Sequence, residues 1–291
     1  GAKQGQTVTV GKGSKVTGSI AGIAILGDSK GTVVPKLVVE DGNITGGWYG
    51  IAGNGMNDNT AIEIKGGTIS SASVGGAALY HPQNGDLTIT GGKLQGETGV
   101  QYMGTGAIKI SGGEIVATAA AMEPVIPAGD GLVADGAALS IYSRGENYGG
   151  ESTATAEISG GTFISKNNIA IREYGAADKG SLLRKVSLGG DSLKVTGGQG
   201  KEAVELQKLA GDDTKVISGG IYSSVVPAEY CVEGYIPTED LGDGTYGVKV
   251  ESPEASVNGR GYLTLQDALK AAQEGDTVQL LKDKEVNAGE E

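Results

Sequence analysis

The chain has 291 residues, of which 53 are glycine and 7 proline, with one Phe, one Trp and a formal net charge of −12. Abundant glycine without a Gly-X-Y period or much proline excludes collagen. The acidic balance argues against nucleic acid and anionic membranes as partners, because rows of phosphate need cations to neutralise them.

In chain order, residues 1–40 read as strands joined by short turns: Thr7-Val8-Thr9-Val10, Ile20 to Leu26 and Val33 to Val39. They are expected to form the first one or two turns of a repeat structure. No amphipathic helix precedes them to cover an open end, and Gly1 opens the chain abruptly, so the sequence reads as a fragment of a longer protein.

Residues 41–224 carry a recurring six-residue phrase. It stands as Ile-Thr-Gly-Gly-Trp-Tyr at 44–49, Ile-Lys-Gly-Gly-Thr-Ile at 64–69 and Ile-Thr-Gly-Gly-Lys-Leu at 89–94. It returns as Ile-Ser-Gly-Gly-Glu-Ile at 110–115, Ile-Ser-Gly-Gly-Thr-Phe at 158–163 and Ile-Ser-Gly-Gly-Ile-Tyr at 217–222, with a weaker Val-Thr-Gly-Gly-Gln-Gly at 195–200. The first glycines are 20, 25, 21, 48, 37 and 22 residues apart. A period of twenty-odd residues marks a solenoid, in which each repeat buries its apolar face only against its neighbours. The 48-residue gap reads as two turns and the 37-residue gap as one turn with an insertion.

Each phrase ends a short alternating strand. In Ala61-Ile62-Glu63-Ile64, the period of 2 places Ile62 and Ile64 on one face and Glu63 on the other. The paired glycines permit a sharp corner, after which another strand begins. A further strand follows in most turns: Ala77 to Tyr80, Gly99 to Tyr102, Ala138 to Tyr142, Ile169 to Arg172 and Ala203 to Leu206. The expected fold is therefore all-β, a single-stranded parallel β-helix over 1–224. Nine or ten turns at a strand spacing of about 4.8 Å would make a rod of roughly 45 Å. Two segments, 116–152 and 172–188, break the rhythm and read as insertions.

From 225 the pattern changes. Residues 225–250, with Asp243-Gly244 between apolar runs, read as a β-hairpin that closes the last turn. Residues 251–291 read as a cap-like strand–helix–strand unit, the lid of a further solenoid. Thr264 is the expected N-cap with Asp267 three residues on, Leu265, Ala268, Leu269 and Ala272 form the apolar stripe, and Gly275 ends the helix. Cys231 is the single cysteine, so no intramolecular disulfide exists.

The Ile-x-Gly-Gly-x-Ile turns over about 40–224 resemble right-handed parallel β-helix repeats of the pectin-lyase-like superfamily. The tail from Pro227 to Lys249, with Tyr262-Leu263-Thr264-Leu265-Gln266-Asp267-Ala268 and Gly275-Asp276-Thr277-Val278, resembles modules of large secreted surface proteins of gut Gram-positive bacteria. The resemblance implies export and attachment to the cell wall or cell surface through other regions. Host or dietary glycans or surface proteins are the expected partners, and no cofactor is expected.

Enzymes of that superfamily act on acidic polysaccharides, so their residues were sought. Asn57-Asp58-Asn59-Thr60 scrambles the Asn-Thr-Asp phrase of polygalacturonases, and Asp212-Asp213 matches the Asp-Asp phrase only as a dipeptide. The single histidine, His81, lies in Tyr-His-Pro and reads as a surface residue. Asp58, Asp86, Asp130 and Asp135 fall in separate loops, and no calcium or zinc motif occurs. The expected function is a non-enzymatic adhesive or stalk module, monomeric; a pectate-lyase-like or polygalacturonase-like enzyme is the alternative. The candidate ligand-binding residues are Tyr80, Tyr102, Tyr142, Arg144, Arg172 and Tyr174. Tyr80, Tyr142 and Tyr174 are expected to point outward and Tyr102 to have the opposite parity. Such a row either stacks on sugar rings or stabilises the rod by stacking on itself.

Overall fold

A computed structural model describes residues 5–27, 34–53, 59–120, 134–143, 155–175, 185–206 and 215–283. Its strands are mostly parallel and fall into three ladders. The first joins Thr7–Val10, Lys36–Val39, Ala61–Ile64 and Leu87–Ile89, then the leading parts of Ile108–Ala117, Thr155–Ser165 and Lys185–Thr196. The second joins Lys15–Gly18, Asn43–Gly46, Thr68–Ser71 and Lys93–Gly96, then the trailing parts of the same three long strands, and ends at Ile221–Tyr222. The third joins Ala21–Ala24, Tyr49–Ala52, Ala77–His81, Thr98–Tyr102, Leu139–Ser143, Ile171–Gly175 and Val204–Glu205. The chain visits the three ladders in turn and then starts again one strand further along. This winding is compatible with a β-helix-like solenoid.

Alternation within each strand builds the core as columns. In the second ladder one inward residue from every rung stands in a registered column: Val16, Ile44, Ile69, Leu94, Ile115, Phe163, Val195 and Tyr222, with Leu193 buried beside Val195. In the first ladder Ile62 and Ile64 are fully buried over Leu87 and Ile89. Glu63 faces outward, held by Lys36 at 2.7 Å and Lys65 at 3.2 Å. The corner between these ladders repeats a glycine with positive φ: Gly67, Gly92, Gly113, Gly161, Gly190 and Gly220 all lie between 81° and 98°. Side chains with a Cβ are strained there, which explains the second glycine of the repeated phrase.

Register corrects three readings of the repeat. Ile44 pairs with Ile69, so the corner equivalent to Gly66-Gly67 is Asp41-Gly42, and Gly46-Gly47 belongs to the next corner, between the second and third ladders. Likewise the first corner of the later rung is Gly189-Gly190, and Gly197-Gly198 follows the second-ladder strand. The 48-residue gap is one rung rather than two, because Ile108 and Ile110 pair directly with Ala156 and Ile158. Among the described residues the second ladder therefore has eight strands, and seven spacings give about 34 Å instead of the longer rod expected.

Third-ladder strands begin with an inward position that never exceeds alanine: Gly22, Gly50, Ala78, Gly99, Ala138, Ala170 and Ala203. Each precedes a member of the registered column Ile23, Ile51, Leu79, Val100, Leu139, Ile171 and Val204. A Cβ at Gly50 would lie 2.6 Å from Ile69 Cγ2, and one at Gly99 would lie 2.6 Å from Ile115 Cγ2 and 2.3 Å from the Ala138 carbonyl oxygen. The interior is narrow here, so the second ladder's isoleucines leave no room.

The two ends differ. At one end an open cavity of about 850 Å³ is lined by Val8, Val10, Val16, Ile23, Ile25 and Leu37. At the other, Tyr246–Val250 pairs antiparallel with Ile221–Tyr222 and with Tyr235–Pro237. In the loop of this hairpin the Asp240 carboxylate accepts from the backbone N–H groups of Gly242 and Gly244. A three-stranded antiparallel sheet follows, with Ala255–Val257 between Arg260–Tyr262 and Val278–Leu280, and the helix Leu265–Ala271 packs Ala268 against it. Thr264 caps the helix by accepting from the Asp267 N–H at 3.1 Å. Seven residues make this helix too short to cross a membrane, and no other among the described residues is long and apolar enough.

Two outcomes test this packing. Gly99→Val should lower unfolding stability by about 1–3 kcal/mol in urea titrations, against less than about 0.5 kcal/mol for the exposed Lys109→Gln. Lys36 and Lys65 hold the Glu63 carboxyl below the usual range. Its contribution to stability is thus present at neutral pH and lost as pH falls through that lowered value. An NMR titration should find its midpoint below that of an unpaired Glu, and Lys36→Gln with Lys65→Gln should raise it.

Candidate functional site

The residues singled out in the sequence lie on the outer side and in the interior of the third ladder. Tyr80 stands in register with Gln101, Ser140, Arg172 and Glu205 on neighbouring rungs. Tyr142 is in register with Tyr174, two residues further along the strand. The tyrosines therefore occupy two columns, not one row. Tyr102 has the opposite parity and belongs to the core, where its hydroxyl donates to the Gly106 carbonyl. Arg144 lies outside the described residues, as do Asp58, Asp130, Asp212 and Asp213.

Burial decides what this face offers. Tyr49, Ala52, Ala77, Tyr80, Met103 and Tyr142 form a second apolar cluster separate from the main core. Tyr80 and Tyr142 are only 6% and 7% exposed. The Tyr49 and Tyr80 rings stack with centroids 5.3 Å apart and planes 27° from parallel. Arg172 is equally covered, and its Nε donates to the Glu205 carboxylate at 2.6 Å. These side chains pack on one another and present no open aromatic platform.

Of the carboxylates considered for catalysis, the two among the described residues, Asp86 and Asp135, are held in local hydrogen bonds. Asp86 accepts from the Ala107 N–H. Asp135 is fully buried at the corner between the second and third ladders, accepting from Thr98 Oγ1 at 3.1 Å and the Ala137 N–H at 2.9 Å. One rung on, Asn168 donates to the Asp135 carbonyl and its N–H donates to Ser165 Oγ, which in turn donates to the Gly136 carbonyl. This stack of polar side chains ties three successive corners together. Among the described residues no three His, Cys, Asp or Glu side chains gather as a metal site.

His81 requires a correction. It is fully buried rather than a surface residue, in register with Tyr102 and tilted against its ring at 5.9 Å between centroids. The reason is parity: Leu79 points inward, so His81 two residues on points inward as well.

Among the described residues, the exposed aromatic lies outside the candidate set. Trp48 is 46% exposed at the corner between the second and third ladders. Its neighbours along that corner are Ile20, 64% exposed, and Val74, 81% exposed. Reading Gly46-Gly47 as the earlier corner concealed this placement; pairing Ile44 with Ile69 reveals it.

Comparison with family models, with curated proteins and with solved structures finds no match.

The packed aromatic face gives a direct expectation. Tyr80→Ala should cost about 3 kcal/mol or more of stability, as for other buried aromatic truncations. A double-mutant cycle between Tyr49 and Tyr80 should return a coupling of about 0.5–1.5 kcal/mol, measured by urea unfolding.

Proposed function

We propose that the chain is a stiff, non-enzymatic rod module of an exported surface protein, wound as a right-handed parallel β-helix of the pectin-lyase-like kind. The observation that supports this most directly is the unbroken register of the second ladder, in which one inward residue per rung stacks from Val16 to Tyr222. Parallel ladders on three sides resist bending, because every backbone pairing along the rod would have to shear together. The right hand follows from the strong preference of parallel crossovers for that sense. Asp86, Asp135, Tyr80 and Tyr142 are engaged in holding rungs together, which fits a spacer better than a polysaccharide-cleaving cleft. Export, attachment to a Gram-positive cell surface and a monomeric state follow from the resemblance of the repeats and tail to surface-protein modules.

Rigidity is measurable. Lys15 and Lys194 are both exposed and stand in one registered column, six rungs apart. Spin labels at Lys15→Cys and Lys194→Cys should give a narrow distance distribution centred near about 29 Å. A broad or multimodal distribution would sink the rod. The native Cys231 does not interfere, being 4% exposed with its thiol pKa pushed up by burial and by the nearby Glu229. Release of reducing ends or unsaturated sugars from pectin would overturn the non-enzymatic reading.

A further inference from the structure

The corner that carries Trp48 has features that rod-building does not require. The turn itself is dictated by close backbone approach. A Cβ at Gly46 would lie 1.8 Å from the Tyr49 carbonyl oxygen, and one at Gly47 would lie 2.0 Å from that of Ser19. The chain reverses there, and the Trp48 N–H donates to the Ile20 carbonyl of the preceding rung at 2.8 Å. The indole is thereby thrown onto the outside of the rod.

One side of the indole rests on the following rung. A Cβ at Gly75 would stand 3.1 Å from Trp48 Cζ3, so glycine lets the ring lie against bare backbone. Gly75 has φ 86°, and its N–H donates to the Glu97 carboxylate, from the rung beyond, at 2.7 Å. The platform is therefore backed by a loop that a third rung holds in place. Hydroxyl groups lie on adjoining residues of the corner and of the strands leading into it. Ser73 Oγ lies beside Gly47, and Thr45 Oγ1 and Ser70 Oγ are 3.1 Å apart on the outward face of the second ladder, three residues before the indole in the case of Thr45.

We propose that this corner is a carbohydrate-binding site that takes a neutral, extended hexopyranose chain, with Trp48 as the stacking platform. A pyranose ring has an apolar C–H face and a polar rim, and the corner offers an indole with the Ser73 hydroxyl and the Glu97 carboxylate on the loop that carries Gly75 or bound to it. Ile20, Trp48 and Val74 cross three rungs, about 10 Å along the rod, which is close to the span of a disaccharide. Three side chains are too few for a stable protein interface, which buries about 800 Å² per partner. The net charge of −12, with Glu97 at the site itself, disfavours acidic sugars.

Trp48 is the only tryptophan in the chain, so its fluorescence reports on this corner alone. The chain would be titrated with cellohexaose, mannohexaose, a β-1,4-linked galactohexaose and hexagalacturonate. The expected result is a saturable emission change with at least one neutral hexaose and a weaker response to hexagalacturonate. Trp48→Ala, with binding followed by saturation-transfer NMR, should lose affinity by about tenfold or more. Val74→Asp, at a side chain 81% exposed, should weaken binding without moving the thermal unfolding midpoint. No emission change with any neutral hexaose at millimolar concentration would overturn the site, as would full affinity in both variants. An emission change that follows protein concentration alone, with self-association in sedimentation, would assign the ridge to a second copy of the chain and overturn it equally.

Discussion

Where the second ladder turns into the third, backbone and isoleucine side chains approach so closely that no residue larger than alanine fits inside. Gly50 and Gly99 show the limit, since a Cβ at either would collide with Ile69 or Ile115 of the second ladder. This narrowness shapes the rest of the structure. It lets one inward side chain from every rung stack along the second-ladder face, so the core is a set of stacked columns rather than an interlocked mixture. It also explains much of the glycine content, which serves two separate corners for different reasons. At the first corner the requirement is a positive φ, as at Gly67 and Gly92. At the second it is the absence of a side chain.

A column architecture leaves strand edges at its ends, and the described residues treat the two ends differently. The later end is closed by an antiparallel strand, Tyr246–Val250, laid against Ile221–Tyr222, with Val226 and Cys231 buried beneath. Reversing the strand direction ends the parallel stack and satisfies its edge. Tyr222 closes the core there, its hydroxyl donating to the Gly219 carbonyl and its pKa raised far above the usual phenol range by burial. The earlier end keeps an apolar cavity between its first strands. Beyond the hairpin, the Arg260 guanidinium pairs with Asp191, linking the small three-stranded sheet to the parallel ladders.

Outward side chains divide by location. On the third ladder the tyrosines and Met103 cover one another and lose contact with water, so their energy goes into holding adjacent rungs. At the second corner of the first three rungs, Trp48, Ile20 and Val74 project into solvent instead. Aromatic character alone therefore does not distinguish a stacking surface from a packing element; position on a strand or at a corner does.

Local rules sufficed for much of this protein. Period-2 alternation places Ile62 and Ile64 inward, the repeat of twenty-odd residues signals stacked parallel strands, and Thr264 with Asp267 marks the start of the helix, because each depends on residues a few positions apart. The Asn258-Gly259 turn between Ala255–Val257 and Arg260–Tyr262, with φ 48° and 88°, carries an equally local hairpin signal that a strand–helix–strand pattern does not include. Other features depended on which strands lie side by side. Gly46-Gly47 looks like Gly66-Gly67 in sequence yet turns a different corner, and the 48-residue gap closes within one rung because Ile110 pairs with Ile158. The burial of His81 and the exposure of Trp48 follow from the same registers. Partners in these parallel ladders are twenty to fifty positions apart in the chain, so only the tertiary structure decides which residue sits above which, and thereby which side chains reach solvent.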